Sequence, residues 1–245
     1  MSHGRVALVT GSARRIGAAI VQRLATDGYH VAVHHRRSAV DAEATATSAR
    51  QLGVDAAVFA ADLESVEAVR KLAVDVEARF GRVDVLVHNA SLFHPTVFSE
   101  ASPEELLRDL DRFHAVHVRA PLLLTRCLLA GMQARRWGRV VALADVSLRA
   151  PKAQFAPYAA SKAALVAACQ ALSRELAPDV TVNVISPGVI LPPETPGAGP
   201  SIAGLLKRVP AGRLGTPEEI AQAVAFFVDG PGFITGQTLE VAGGE

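Results

Sequence analysis

Short apolar runs alternate along the chain with longer amphipathic stretches, and turn residues separate them. Residues 5–10 read as a strand, and residues 15–27 as a helix with Ile16, Ile20 and Leu24 on one face, stopped by Gly28. A second strand at 30–34 precedes a helix at 42–52 closed by Gly53. Strands at 54–60 and 83–88 bracket a helix at 64–80, whose end Gly81 marks. Val83, Val85, Leu86 and Val87 lack polar alternation, which suits a strand covered on both faces. Beyond Pro103 a helical region spans 103–136, followed by a strand at 139–144, a helix at 158–176 and a strand at 181–185. Residues 187–200 hold Pro187, Pro192, Pro193, Pro196 and Pro200 with three glycines, too many breakers for a regular element. A loop over 187–210 is therefore expected to act as a substrate lid. Pro217 opens a helix to 228, and 237–241 supplies the last strand.

This alternation predicts an α/β fold: a single-domain, Rossmann-like, doubly wound parallel sheet of about seven strands with helices on both faces, spanning 1–245. No internal repeat or linker divides it. Half the residues are apolar and 20% charged, which excludes a disordered chain. Lys+Arg 25 against Asp+Glu 24 leaves a net charge of +1, giving no overall field for nucleic acid or an anionic membrane. Cys127 and Cys169 sit in helical, apolar stretches and read as buried structural thiols, without a disulfide framework or a metal site. Arg126 interrupts the best apolar run, at 122–129, and residues 1–10 carry no readable secretory signal, so a cytoplasmic location is expected.

Ligands of such sheets bind beyond the carboxyl ends of the strands. After the first strand comes Thr10-Gly11-Ser12-Ala13-Arg14-Arg15-Ile16-Gly17, where backbone N–H groups at a helix start can hold a pyrophosphate. Gly11 permits a tight turn and Gly17 close packing of helix on sheet. Taken alone, an ordinary strand-to-helix turn would look the same. After the second strand, His34-His35-Arg36-Arg37-Ser38 places cations where an NAD site usually carries an acid, and a 2′-phosphate would suit them. Tyr158 and Lys162 lie four apart in a predicted helix and so share a face. Lowering a phenol from about 10 towards neutrality needs about 4 kcal/mol of support for the phenolate, which an ammonium can supply.

Together these segments resemble the short-chain dehydrogenase/reductase family, with its Thr-Gly-x-x-x-Gly-x-Gly turn and Tyr-x-x-x-Lys pair. The resemblance extends through Arg213-x-Gly-x-Pro-Glu-Glu to Gly243-Gly244. Arg15 in place of the middle glycine, the His-x-x-Arg-Ser pattern and Asn89-Ala90-Ser91-Leu92-Phe93 are similar to the pteridine reductase branch. That resemblance implies NADPH as cofactor, with Gly11, Arg14, Arg15, Ile16 and Gly17 at the phosphates and His34, Arg36, Arg37 and Ser38 around the 2′-phosphate. It further assigns Asp62 to the adenine, Asn89 and Ala90 to the adenosine side and Lys162 to the nicotinamide ribose, and counts Leu63, Pro187 and Gly188 among the cofactor contacts. Asp62 as a simple helix cap would give the same sequence.

The resemblance makes Tyr158 the proton donor, with Lys162 holding the ribose and lowering the tyrosine pKa. Where most members place a serine, thirteen positions earlier, stands Asp145, as in pteridine reductases; Ser147 is out of step. Reducing a ring C=N must deliver a proton to nitrogen, and a carboxyl group can relay one. Arg15, Ser91 and Phe93, with Asp145 and Tyr158, would hold a pterin or folate ring, Phe93 forming one wall of a stack. His117 stands where the family has an asparagine that supports the lysine through water. A charged imidazole there would repel Lys162, implying a slow rate or a raised pH optimum. Three readings stay open: a pterin or folate reductase, a ketone or aldehyde reductase on the same scaffold, and a catalytically weak NADPH-binding or sensing protein. By resemblance the long helices would pair into a homotetramer.

Overall fold

The structure, a computed structural model, describes residues 4–191 and 202–245. Its strands are the short apolar runs: β1 (Val6–Val9), β2 (His30–His35), β3 (Ala56–Ala60), β4 (Val85–His88), β5 (Gly138–Leu143), β6 (Val180–Pro187) and β7 (Thr238–Val241). All pair in parallel in one sheet of order β3-β2-β1-β4-β5-β6-β7. The chain steps outward from β1 to β3, then returns to lay β4 against the other side of β1. That reversal opens a crevice at the carboxyl ends of β1 and β4.

Helices cover both faces. On one, α1 (Arg15–Thr26), α2 (Ala39–Gln51) and α8 (Pro217–Asp229) bury Ile20, Leu24, Ala46, Val224 and Phe227 against the sheet. On the other, α3 (Val66–Phe80), α5 (Ala120–Ala134) and α6 (Ala156–Glu175) bury Leu72, Leu124, Leu128 and Leu165. The remaining helices are α4 (Pro103–His114) and the short α7 (Ile202–Leu206). Capping boxes start α4 (Ser102 with Glu105) and α8 (Thr216 with Glu219), each followed by proline. Ser65 caps α3, which ends at Gly81 in the left-handed region. Helix α1 is different: Arg14 at its N-cap supplies no side-chain cap, and its first turn holds no acid.

The predicted α/β fold with seven parallel strands is the observed one; several element bounds shift by a few residues, and three local differences bear on the site. Helix α2 starts at Ala39, directly after Ser38, so the cationic turn is shorter than the hydrophobic period suggested. Strand β6 runs on to Pro187 because β7 pairs with it to the end, Pro187 opposite Val241. The long helical region is interrupted by a π turn, Ala115–Arg119, in which the Ala120 N–H reaches back to the Ala115 carbonyl. Pro121 lacks the N–H that would bond the His117 carbonyl, and its ring crowds that carbonyl, which accounts for the wider turn.

By length and composition alone, Pro103–Ala134 is long and apolar enough to cross a membrane, contrary to the expectation from Arg126. Over half of its most apolar window is buried inside the fold, as for a core helix. Cys169 is buried, and burial pushes its thiol up to about 12; Cys127 is only half-buried, not fully buried as expected. The expected lid lies partly outside the described residues; of its described part, 202–206 is helical rather than irregular.

Gly17 shows how closely α1 sits on the crevice: a Cβ there would come within 2.5 Å of the Gly11 carbonyl oxygen and 2.6 Å of Ser12 Cα. Both are backbone atoms that cannot swing aside. Gly17→Ala is therefore expected to lower the unfolding free energy by about 1–3 kcal/mol in urea denaturation; unchanged stability would contradict this packing.

Candidate active site

Side-chain hydrogen bonds stitch the strand ends into one rim. Thr10 Oγ1 donates to the Val87 carbonyl and accepts from the N–H groups of Asn89 and Ala90. The Asn89 amide returns two bonds, to the carbonyls of Thr10 and Gly11, both 2.9 Å. His34 braces the other side: its Nδ1 accepts from the Gly11 N–H at 2.9 Å, so Nε2 carries the proton and donates to the Ala61 carbonyl. Burial lowers its pKa to about 4 and keeps the ring neutral. Asn89 and His34, expected at the cofactor, therefore also hold the turn that would receive it.

The rim encloses a groove of about 380 Å³. Gly11, Arg14, Arg15, Ile16, Gly17, His34, Arg36, Ser38, Asp62, Leu63, Asn89, Ala90 and Ser91 line it; of the residues expected at the cofactor, Arg37, Lys162, Pro187 and Gly188 do not. Arg15 has φ +55°, the left-handed backbone that a glycine would adopt freely, at a cost of order 1–2 kcal/mol. The substitution read from the sequence thus occupies a glycine conformation. Arg14 pairs with Asp41, and Arg36 with Glu64 at 3.0 Å. Asp62 accepts from the Glu64 N–H, while the cap of α3 is Ser65. His35, which the sequence reading passed over, also lines the groove; its Nδ1 is buried and has no partner among the described residues.

Beyond this groove, α6 carries Tyr158 and Lys162 on one buried face. The Tyr158 hydroxyl donates to Asp145 Oδ2 at 2.7 Å, and Asp145 Oδ1 accepts from the Ser147 N–H at the start of a 3-10 turn, Val146–Arg149. Lys162 Nζ donates to the Leu143 carbonyl at 2.7 Å. The phenol is not lowered by the lysine as expected: burial, then the Asp145 charge and hydrogen bond, raise it far above its ordinary value. Burial brings Lys162 down to about 8, against a smaller upward pull from Asp145.

Phe93 is 58% exposed and stacks on Phe155, with ring centroids 4.8 Å apart and planes 21° apart; Tyr158 meets it edge-on at 5.0 Å. Phe155 had no role in the sequence reading, although aromatics are only 5% of the chain. Ser91 Oγ lies 2.9 Å from His117 Nε2 rather than standing unengaged at the rim. Pro187 ends β6, and the Gly188 N–H donates to the Val241 carbonyl, where a Cβ on Gly188 would meet Ala242 Cα at 2.7 Å. His117 is neutral: burial, with Lys162 and His94 nearby, drives its pKa far down, so a charged imidazole gives no reason for a raised pH optimum. Among the described residues no group of three or more His, Cys, Asp or Glu could hold a metal ion.

The depressed Lys162 fixes a stability difference. Between about 8 and the ordinary lysine value the native state binds fewer protons than the unfolded chain, so this residue makes stability rise with pH across that window. Lys162→Met should therefore raise Tm at pH 7, with an advantage over the parent that shrinks as pH climbs through that window; a lowered Tm would contradict it.

Comparison with known proteins places this arrangement. The family described as enoyl-(acyl carrier protein) reductase matches residues 11–245. The 3-oxoacyl-[acyl-carrier-protein] reductase of Aggregatibacter actinomycetemcomitans is 37% identical, over 97% of both chains. A blue fluorescent protein from a metagenomic library, crystallised with NADPH, superposes with a TM-score of 0.89 at 33% identity, covering 99% of this chain and 98% of the other. The FolM alternative dihydrofolate reductase 1 of Brucella suis, in complex with NADP, gives 0.86 at 35% identity, covering 98% and 94%. With the Tyr158–Lys162 pair on α6 and the glycine turn beneath α1, the chain belongs to the short-chain dehydrogenase/reductase family.

Proposed function

We propose that this reductase uses NADPH to reduce the ring of a pterin or folate, from the dihydro to the tetrahydro form. The carrying observation is the Asp145 carboxylate 2.7 Å from the Tyr158 hydroxyl, in the position where the resemblance sets a serine in most members. The groove fits the dinucleotide: α1 presents N–H groups with no side-chain cap and no acid, Arg36 and Ser38 line the far end, and His35 offers a buried nitrogen without a partner among the described residues. Gly11 admits no side chain, since a Cβ would lie 2.8 Å from Ala90 Cα. The structural neighbours crystallised with NADPH or NADP support the same cofactor.

When bound, NADPH supplies the hydride. With that hydride on the carbon of a ring C=N, the nitrogen would need a proton, which this chain's own residues would deliver. Tyr158 holds that proton tightly, because burial and the adjacent carboxylate both disfavour a phenolate. Its release to nitrogen is favoured when the half-buried Asp145 side chain, hydrogen-bonded to the phenol, relays a replacement proton. Lys162, anchored by Leu143, orients the ribose side. For the acceptor, Arg15 lines the dinucleotide groove and would offer a cation, while the exposed Phe93, stacked on Phe155 and edge-on to Tyr158, would offer an aromatic surface beside the phenol. Leu107 and Leu110, exposed on α4, would supply apolar contacts if the chain forms the homotetramer that the resemblance implies.

A second reading, reduction of a 3-oxoacyl ketone, is favoured by the names of the sequence relatives. A ketone needs its oxygen polarised, which a neutral hydroxyl does better than a carboxylate. Asp145→Ser is accordingly expected to cut turnover of dihydrobiopterin at least about 10-fold while that of a 3-oxoacyl thioester holds or rises; the opposite shift would favour the second reading. Tyr158→Phe should lose at least about 100-fold in kcat with either acceptor, with NADPH affinity by fluorescence titration within about twofold of the parent. Unchanged turnover would remove the phenol from the mechanism.

A further inference from the structure

His117 is 1% exposed and lies in the π turn between α4 and α5, at the position where the resemblance sets an asparagine that supports the lysine. Its surroundings define its task. Nε2 accepts from the Leu92 N–H at 3.0 Å, and a backbone N–H can only donate, so this nitrogen carries no proton. The proton is therefore on Nδ1, which donates to Ser161 Oγ at 2.8 Å. The Ser161 hydroxyl in turn donates to the Tyr158 carbonyl at 2.7 Å. One directed chain thus runs from the loop bearing Ser91 and Phe93, through the imidazole, to the turn of α6 bearing Tyr158.

We infer that His117 is a positioning residue, a neutral clasp that fixes the acceptor-binding loop at 89–93 to helix α6, and not a member of the proton relay. This deepens the reading above and rests on it for the acceptor. A protonated ring would turn a second N–H against that of Leu92 and break the clasp. Lys162 on α6 and His94 on the loop before α4 both disfavour a charged ring here. Phe113 stacks on the ring at 5.7 Å and Tyr158 packs edge-on at 5.6 Å, which holds the plane of the imidazole. The Asp145–Tyr158 and Lys162–Leu143 bonds do not pass through His117. Losing the clasp should therefore loosen acceptor binding and spare the chemical step.

The test measures His117→Asn, His117→Gln and Ser161→Ala with whichever acceptor the parent reduces. Asparagine is too short to span Leu92 and Ser161, whereas the longer carboxamide of glutamine can accept from one and donate to the other. His117→Asn is expected to raise the acceptor KM about 10-fold with kcat within about threefold and NADPH affinity within about twofold. Glutamine should recover most of the loss. Ser161→Ala should raise KM less, and not additively with His117→Asn. A fall in kcat with KM unchanged, together with loss of one limb of the pH–rate profile, would instead place His117 in the relay and overturn the inference. Nitrogen-15 NMR of the ring provides a readout without turnover: a neutral Nδ1–H tautomer, constant from about pH 5 to 9, is expected, and a ring that titrates in that range would overturn it. A parent that ignores pterins but reduces ketones would sink the substrate assignment alone.

Discussion

The hydrogen bond between the Tyr158 phenol and the Asp145 carboxylate is the constraint around which this site is arranged. In the proposed reaction it gives a proton donor whose own ionisation is strongly opposed, by burial and by a neighbouring negative charge. Such a phenol suits an acceptor atom basic enough to draw the proton across and a carboxyl group able to replace it. The rest of the crevice keeps this pair in register: α6 presents the phenol, the end of β5 and the 3-10 turn present the carboxylate, and Lys162 ties α6 to β5 through Leu143.

The dinucleotide groove depends on a different kind of stitching. Thr10, Asn89 and His34 spend their side-chain hydrogen bonds on the backbone of neighbouring strand ends, so the glycine turn is held open with few side chains in it. Where the chain departs from its family, at Arg15, it accepts a left-handed arginine, and that strain is consistent with a guanidinium wanted at this rim. His34 and His117 are both kept neutral by hydrogen-bond direction as well as burial.

Much of the fold could be read from hydrophobic period, because buried parallel strands are short apolar runs and the helices between them end at glycine or start at capped prolines. Residues whose backbone position carries their role, such as Gly11 and Gly17, were equally legible. What escaped was set by contacts distant in sequence. Phe155 stacks on Phe93 although α4, α5 and β5 lie between them in the chain, and Arg36 is turned towards Glu64 by a pairing between segments 28 residues apart. The π turn had a local signal in Pro121, which removes a helical donor, but its consequence for His117 needed Leu92 and Ser161 in space.

The most direct measurement is the ratio of kcat/KM for dihydrobiopterin to that for a 3-oxoacyl thioester, taken from NADPH consumption by the unaltered protein at matched acceptor concentrations. A carboxyl-backed phenol beside a flat aromatic wall predicts a ratio well above one. A ratio well below one would show that the carboxylate does not direct the proton to a ring nitrogen.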